Sequence, residues 1–449
     1  MEKIRLRENE KFVGIEYYGT IERGIGGIIK HKFKDFIVRE ITRERKILEI
    51  REDRPEVVFL PTGNYTTFNV TKIKRDTLEV LNIIAHELGI PSEQISYSGL
   101  KDHRAITVQQ MSVKGNVIEK LKKIKKQNIF IREIRSTKHR VKVGDNWGNH
   151  FSIIIRNIED YQKLSKNIEA INQFLNKYGF PNYYGLQRFG IYRPNSHLIG
   201  KYILQKKYKE AIEEFLMRIY SIEEIKNIGG RKEISESIER LNSFDEIPRK
   251  FEFEKNIIDY LAKNGEDYFG CLVSISKGVL NLVISAYQSY LFNTALSKRI
   301  QLGYPRFKPV KGDLIGILED EMGHLTKIKY LYNGHLKKPL KKALKIDRAA
   351  IISPIIGYDS ELNPSHLMSK IYLKILKDEA IMRDIFSLPE FPALDFPGTY
   401  RPISIKPRGL KIVKIDDDDL FPGKKKMRLD FDLRKGSYAT LLLREFMKQ

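Results

Sequence analysis

The chain has 449 residues, a formal net charge of +23 and one cysteine, Cys271. A single cysteine excludes an intramolecular disulfide framework, no apolar run approaches a membrane span, and Met1–Arg5 lacks the apolar stretch of a signal peptide. These features predict a cytoplasmic protein of about two domains. Because a basic surface binds phosphates, they also make nucleic acid the leading partner.

The first part of the chain alternates strand and helix patterns. Runs of β-branched and aromatic residues predict strands at 36–41, 65–70, 95–98, 129–134 and 151–155. Asp76 with Glu79 resembles a capping box that starts a helix ending at Gly89, with apolar residues at helical spacing at Leu78, Leu81, Ile84, Ala85 and Leu88. A second amphipathic helix ends at Gly179. We therefore predict an α+β fold of mostly antiparallel character.

The texture changes to helical patterns from about Pro194, including the segments 208–220 and 284–300. A Gly-rich, strand-like stretch follows at 311–332. Near the end, Leu429, Phe431 and Leu433 alternate as a strand, and Ser437 is the predicted cap of a terminal helix. The four carboxylates Asp416–Asp419 lack the spacing of a calcium loop, so we interpret them as a solvated turn.

Asp102 lies just beyond the predicted strand at 95–98, between Lys101 and the pair His103–Arg104. Neighbouring cations favour the ionised form of a carboxyl group. An ionised aspartate can act as a nucleophile or as a base. The same four residues also fit a solvated loop with surface ion pairs, so the local pattern leaves both interpretations open.

Two further segments suit the handling of a nucleotide. Asn149 and Phe151 would share one face of a strand and address one base by hydrogen bonding and stacking, although Phe151 equally fits a core position. The segment 182–190, Asn-Tyr-Tyr-Gly-Leu-Gln-Arg-Phe-Gly, combines aromatic rings, a guanidinium and glycines. A packed aromatic turn would have the same composition.

Several common sites are excluded by pattern. No P-loop sequence occurs, Gly24–Gly27 lacks dinucleotide-binding spacing, and the nine histidines show no paired zinc-ligand spacing. No serine nucleophile elbow or Cys–His arrangement is convincing. What remains is carboxylate chemistry in a basic, aromatic-rich protein.

Together, these segments resemble the TruD family of tRNA pseudouridine synthases. Six blocks match in order: Asp35-Phe36-x-Val38-x-Glu40, Gly99-Leu100-Lys101-Asp102 with Ala105, Thr107 and Gln109, Gly148-Asn149-x-Phe151, Asn182–Gly190, Ser285–Asn293 and Gly436–Thr440. The resemblance implies a pseudouridine-synthase catalytic domain with a mostly antiparallel mixed sheet, formed by residues 1–180 and 403–449. It implies a family-specific α+β insertion domain at 181–402.

The resemblance also implies an activity and a set of site residues. The expected enzyme is an isomerase that converts uridine to pseudouridine in tRNA, typically at nucleotide 13, without metal or organic cofactor. The sequence leaves the oligomeric state open, with a monomer favoured. Asp102 would be the nucleophile; attack at C1′, attack at C6 and removal of the C2′ proton all remain open. The expected catalytic set also includes Lys101, Asn149 and Glu40.

Phe151 would stack on the flipped base, and Asn149 would orient either the base or the catalytic carboxylate. The other expected substrate contacts are Phe36, Tyr184, Gln187 and Arg188. Lys101 or another cation would keep Asp102 ionised, and Glu40 would support the site. Lys101 facing solvent and Glu40 paired elsewhere on the sheet are the structural alternatives.

Two other functions compete with this interpretation. A non-catalytic tRNA-binding or chaperone module would use the same charge without needing Asp102. A methyltransferase would need a cofactor site, and no glycine fingerprint for one is present.

Overall fold

The computed structural model describes residues 7–50, 57–58, 63–159, 161–220, 223, 225–241, 251–320, 324–336 and 338–448. The predicted absence of a signal peptide concerns Met1–Arg5, which lies outside the described residues. The chain forms two compact units. Gly19–Phe180 and Ile405–Gln449 form the first, which we call the Asp102 unit, and Lys3–Tyr18 and Pro181–Ser404 form the second, the helical unit.

The Asp102 unit is built on a mixed sheet. Its described strands, numbered in chain order, are β1 (Phe36–Ile41), β2 (Val57–Val58), β3 (Tyr65–Ile73), β4 (Ile95–Tyr97), β5 (Ile106–Lys114), β6 (Ile129–Thr137), β7 (Gly148–Ile158), β14 (Arg408–Asp417) and β15 (Lys425–Arg434). The order is β14-β15-β7-β1-β5-β3-β6-β2, and β4 pairs with β5. Only β1 with β5 and β2 with β6 are parallel among these described pairs, which confirms the predicted mostly antiparallel sheet.

The helices of this unit are α2 (Thr77–Leu88), α3 (Ile118–Lys123), α4 (Tyr161–Tyr178) and α13 (Ala439–Met447), with single 3₁₀ turns at Phe33–Asp35 and Ser92–Gln94. The predicted capping box of α2 is confirmed. The Asp76 carboxylate accepts a hydrogen bond from the Leu78 amide at 3.1 Å, and the Glu79 carboxylate accepts one from the Asp76 amide at 3.2 Å. Gly89 ends the helix in the left-handed region.

The core of α2 departs from the predicted pattern at one position. Leu81, Ile84, Ala85 and Leu88 pack against Phe68 and Met111 of the sheet, but Leu78 is 51% exposed. Leu78 lies in the first turn, beyond the apolar face that the sheet covers. At the end of α4, Gly179 has φ +73°, and a Cβ there would lie 2.2 Å from the Ile405 carbonyl oxygen. Glycine is therefore required where α4 ends.

Two predictions for the C-terminal part are wrong. The cap position of α13 is Tyr438, and the hydroxyl of Ser437 has no hydrogen-bond partner within the described residues. The Asp416–Asp419 segment is not simply a solvated turn. Asp418 is buried and, like Asp419, accepts a 2.8 Å hydrogen bond from Arg156, whose Nε donates to Asp35 at 2.9 Å. The Arg156 guanidinium is therefore the cation that these two carboxylates bind.

The helical unit contains a small sheet and most of the helices. Its helices are α1 (Glu8–Phe12), α5 (Ser196–Leu204), α6 (Tyr208–Leu216), α7 (Ile225–Leu241), α8 (Glu252–Asn264), α9 (Tyr268–Ser274), α10 (Lys277–Gln301), α11 (Lys338–Lys345) and α12 (Leu367–Asp378), with 3₁₀ turns at Leu186–Arg188 and Arg383–Phe386. Its strands are β9 (Leu314–Leu318), β10 (Leu325–Leu331), β11 (Ala349–Ile355) and β12 (Thr399–Pro402), in antiparallel order β10-β9-β11-β12. The two-residue strands β8 (Phe180–Pro181) and β13 (Ser404–Ile405) lie where the chain passes between units.

The long helix α10 organises the core of the helical unit. Ile284, Tyr287 and Leu291 are fully buried in one hydrophobic cluster with side chains of α5 and α12. A Cβ on Gly200 of α5 would lie 2.2 Å from the Val283 carbonyl oxygen, so the two helices meet at a position that only glycine permits. The predicted helix over 208–220 ends earlier, at Leu216.

No single helix in the described ranges is long and apolar enough to span a membrane. The pair α9 and α10 meets the length and composition criteria together, but it is bent by 109°.

Candidate active site

Asp102 lies in the loop between β4 and β5, beyond a strand end as predicted. Its carboxylate forms an ion pair with the Lys30 ammonium at 2.6 Å, and its side chain keeps 34% exposure. A paired carboxylate that remains accessible has the two properties that a nucleophile requires: negative charge and room for a substrate.

Lys30 was not identified from the sequence. It precedes β1, has a left-handed backbone with φ 56°, and lies 4.2 Å from the centroid of the Phe36 ring. It therefore joins Asp102 to an aromatic side chain of the central strand. A lysine in a short basic run, 72 residues before its partner, carries no local signal of this role.

Lys101 is directed away from the Asp102 carboxylate. Its ammonium binds the Glu40 carboxylate at 2.8 Å, and both side chains are almost fully buried. Glu40 also accepts hydrogen bonds from the Ser98 hydroxyl and, at 3.2 Å, from the Gln110 amide. Lys101 and Glu40, both predicted to lie at the site, thus bind each other. The cation that contacts the Asp102 carboxylate is Lys30.

The buried Lys72 of β3 holds the Asp102 loop through its backbone carbonyls. The Lys72 ammonium donates hydrogen bonds to the backbone carbonyls of Arg75 at 2.8 Å, Lys101 at 3.2 Å and Asp102 at 2.9 Å. Burial lowers the pKa of Lys72 to about 8, although the negative charges of Asp76 and Asp102 oppose the shift. The cation is thus held by carbonyl dipoles in a site that makes its proton easier to lose.

Two more buried side chains fix the same loop. The Lys101 amide donates to the Thr77 hydroxyl at 3.0 Å, and the Gln109 side chain donates to the Gly99 carbonyl at 3.2 Å. Both Thr77 and Gln109 are fully buried. The backbone from Gly99 to Lys101 is therefore tied to α2 and β5.

Three aromatic rings form a buried row under this site. Phe151 of β7 stacks on Phe431 of β15, with ring centroids 5.3 Å apart, and meets Phe36 of β1 edge-on at 6.3 Å. Phe151 is only 6% exposed. The structure thus brings Phe36 and Phe151 together and gives Phe151 a core position; its role in stacking on a base stays a prediction.

Asn149 shares the face of β7 on which Phe151 lies. Strand pairing places Asn149 opposite Glu40, and Phe151 opposite Val38. The Asn149 side-chain oxygen is buried and has no hydrogen-bond partner within the described residues. A buried acceptor without a donor is unfavourable, so this oxygen is suited to receive a hydrogen bond from a ligand.

Tyr184, Gln187 and Arg188 belong to the helical unit. The Tyr184 amide donates to the Asn293 side chain at 2.7 Å, and Arg188 donates to the hydroxyls of Ser285 and Ser289 at 2.6 and 3.2 Å. Two of the matching sequence blocks therefore bind each other. These contacts agree with the packed-turn alternative for Tyr184 and Arg188, whereas Gln187 is exposed. Substrate contacts by these three residues stay predictions.

Comparison with known proteins gives one family across the chain. The family model described as tRNA pseudouridine synthase D (TruD) matches residues 12–446. The relative named "Probable tRNA pseudouridine synthase D" from Methanosarcina mazei is 30% identical over 446 residues, covering 98% of each chain. Its namesake from Pyrobaculum aerophilum is 31% identical over 445 residues, covering 98% of this chain and 96% of its own.

A solved structure agrees with these matches. The crystal structure assigned to tRNA pseudouridine synthase D from Methanosarcina mazei aligns with a TM-score of 0.77 at 30% identity, covering 100% of this chain and 99% of that one. The fold and the sequence matches over nearly the whole chain agree. This chain belongs to the TruD family of tRNA pseudouridine synthases.

Proposed function

We propose that this protein isomerises uridine to pseudouridine at nucleotide 13 of tRNA, with Asp102 as the nucleophile. Family membership supports the isomerase class and tRNA as substrate. The observation that supports Asp102 as the nucleophile is its accessible carboxylate, which pairs with the Lys30 ammonium at 2.6 Å. We propose that the enzyme acts in the cytoplasm as a monomer.

The reaction needs no co-reactant because the product is an isomer of the substrate. The N1–C1′ bond breaks, the uracil rotates, C5 bonds to C1′, and the proton on C5 is lost while N1 gains one. Asp102 begins this sequence by attack at C1′, by attack at C6 or by removal of the C2′ proton. All three routes use an ionised carboxylate, which the Lys30 ammonium stabilises.

The base must leave its stack to react, at a cost of a few kcal/mol. Phe151, which keeps 6% exposure, is the proposed stacking partner, and the fully buried Phe36 meets it edge-on. The buried oxygen of Asn149 supports a hydrogen bond from the N3–H of uracil, the one imide donor of that base. The Lys101–Glu40 pair lies beside them and fixes the loop that carries Asp102.

A non-catalytic tRNA-binding module would require different features of the structure. A tRNA-binding module would use the net charge of +23 but would need no accessible aspartate with its own cation. The Lys30–Asp102 pair therefore favours the enzyme.

The decisive test is Asp102→Asn on unmodified tRNA, with tRNA binding and pseudouridine formation measured separately. We expect unchanged binding and a loss of turnover by more than about a thousandfold. Glu93→Gln, at an exposed carboxylate on the 3₁₀ turn before β4, is the matched control and should behave as wild type. Surviving turnover in Asp102→Asn would refute the nucleophile.

Assays of the wild-type protein test whether it is an enzyme and which nucleotide it modifies. Binding without any pseudouridine would favour the tRNA-binding module. Pseudouridine formed only at other positions would refute the assignment to nucleotide 13. Chemical mapping of the modified tRNA reads both outcomes.

A further inference from the structure

A polar cleft of about 730 Å³ opens in the Asp102 unit. Its lining comes from the end of β1 and the turn after it, from β3, β5 and β6, and from the segment between β6 and β7. The lining includes side chains that can bind a polar or anionic ligand: Thr42, Arg43, Gln110, Arg135, Arg140 and Lys142. A volume of this size lies within the range of small-molecule and nucleotide sites.

The cleft is positively charged. Five lysines and arginines line it, against the three carboxylates of Glu40, Glu44 and Asp145. The charge of Glu40 is already matched by Lys101 at 2.8 Å, so the cations exceed the carboxylates that remain. Arg43, Arg140 and Lys142 are exposed at the rim. Guanidinium and ammonium groups in this arrangement bind phosphate oxygens.

Two buried polar atoms in the wall lack partners. The hydroxyl of Thr42 and the side-chain nitrogen of Gln110 have no hydrogen bond to any described residue. A hydroxyl both donates and accepts, and an amide nitrogen donates. Leaving such groups unpaired is unfavourable, so a ligand that presents matching acceptors and donors would bind here. The edge of a nucleobase presents such groups, and unpaired bases in RNA are recognised along their edges.

The cleft is linked to the Asp102 loop by Glu40. The Glu40 side chain lines the cleft and binds Lys101, the neighbour of Asp102, while its other oxygen accepts the backbone amide of Gln110 at 3.2 Å. Asp102 and Lys30 themselves do not line the cleft. The cleft is thus next to the candidate active site and separate from its carboxylate.

We propose that this cleft binds a second, unpaired nucleotide of the RNA substrate, close to the reacting uridine. Arg43 and Arg140 hold its phosphate, and Gln110 with Thr42 reads its base. The proposal rests on the proposed function and adds a specificity-determining site to it. Occupancy of the cleft would fix the register in which the target uridine meets Asp102.

The test uses the full-length protein and a set of substrate tRNAs. Each unpaired nucleotide near the target uridine is replaced in turn by the other three bases, and kcat and KM for pseudouridine formation are measured. We expect wild type to discriminate among bases at one position. Because each hydrogen bond contributes about tenfold, Gln110→Met with Thr42→Val should reduce that discrimination by at least about tenfold.

The phosphate contact is tested separately. Arg140→Glu should raise KM about tenfold for every tRNA in the set while kcat changes little, since a phosphate contact carries no base information. Lys125→Glu reverses an exposed charge near α3, outside the cleft, and is the matched control. A free nucleotide as the natural ligand is tested with nucleoside monophosphates as competitors.

The outcomes are distinct. Unchanged base discrimination in the Gln110→Met, Thr42→Val variant, or equal KM for Arg140→Glu and Lys125→Glu, would overturn the proposal. Competition by a mononucleotide that Arg140→Glu abolishes would assign the cleft to a free nucleotide and also overturn it. Failure of the proposed function is separate, because wild type would then form no pseudouridine on any tRNA.

Discussion

The ammonium of Lys72 donates a 2.9 Å hydrogen bond to the backbone carbonyl of Asp102, from a position with no exposed surface. The same ammonium holds the carbonyl of Lys101 at 3.2 Å. The position of the proposed nucleophile therefore depends on a cation that substrate does not need to touch. Lys72 acts on Asp102 through the backbone and is a positioning residue.

Removing this anchor should lower turnover more than binding. In Lys72→Met the loop loses three hydrogen bonds, and misplacement of a reacting group by about 1 Å costs about a hundredfold in rate. We expect kcat to fall by about that factor with KM for tRNA nearly unchanged. Lys114→Met, at the exposed end of β5, is the control. A rise in KM alone would contradict the prediction.

The pH dependence of turnover should report Lys72 directly. Its pKa is lowered to about 8 by burial, and the charged groups that face it are Asp76, Glu79, Lys101 and Asp102. As pH rises through about 8, neutral Lys72 loses a donor and kcat should decline. Lys72→Met should lack this decline. An identical alkaline limb in both proteins would assign it to another group.

Stability should change with pH in the opposite sense. The pKa of Lys72 is about 8 in the folded protein against 10.5 ordinarily, so between these values the unfolded chain binds more protons. The free energy of unfolding of wild type, relative to Lys72→Met, should therefore rise from pH 8 to 10.5, by about 3 kcal/mol at most. Urea denaturation at several pH values measures this difference, and a fall over that interval would refute it.

Loss of Lys30 should impair catalysis while leaving the fold intact. Lys30→Gln removes the ammonium 2.6 Å from the Asp102 carboxylate. We expect kcat to fall by about a hundredfold, as for other preorganised charged groups, and Lys30→Arg to retain part of the activity. Lys34→Gln, exposed on the 3₁₀ turn before β1, is the control. Wild-type turnover in Lys30→Gln would exclude the pair from the mechanism.

The buried pair Lys101–Glu40 should show strong coupling in stability. Glu40→Leu leaves a buried ammonium unpaired and should lower the free energy of unfolding by about 3–5 kcal/mol. Adding Lys101→Met should recover much of that loss, because no unpaired charge remains. Chemical denaturation of the two single variants and the double variant gives the coupling. Additive losses would contradict the prediction.

The two aspartates at the end of β14 should differ in their contribution to stability. Asp418→Asn weakens a buried ion pair with Arg156 and should cost about 1–3 kcal/mol. The neighbouring Asp417 has an 89% exposed side chain that pairs with Lys425. Asp417→Asn should therefore change the free energy of unfolding by less than about 1 kcal/mol. Equal effects in thermal unfolding would show that burial does not separate them.

Structure that depends on neighbouring residues is predictable from this sequence. The capping box of α2 depends on Asp76 and Glu79, which are three residues apart, and both predicted hydrogen bonds are present. Strand alternation was reliable for β15 for the same reason. Ser437 failed as a cap although its residue type was suitable, because α13 begins one position later than a cap at Ser437 requires.

The candidate site was predictable only in part, because its contacts join distant segments. Lys101 adjoins Asp102 in sequence, yet the two side chains bind different partners. Lys30 and Lys72 reach the loop only after β1, β3 and β5 have paired. The same holds for Asp418, which follows β14 and whose partner Arg156 lies on β7. Residue type and spacing do not encode contacts of this length.

The stack of Phe151 on Phe431 joins residues that are 280 positions apart in the chain. On the ribosome, β7 emerges long before its neighbour β15, and the segment that forms the helical unit is made in between. The sheet beside Asn149 therefore stays incomplete until Arg434 has been synthesised. A nascent or prematurely terminated chain would carry Asp102 and Lys30 but not the finished strand order around them. Activity on tRNA would then begin only after translation has passed β15.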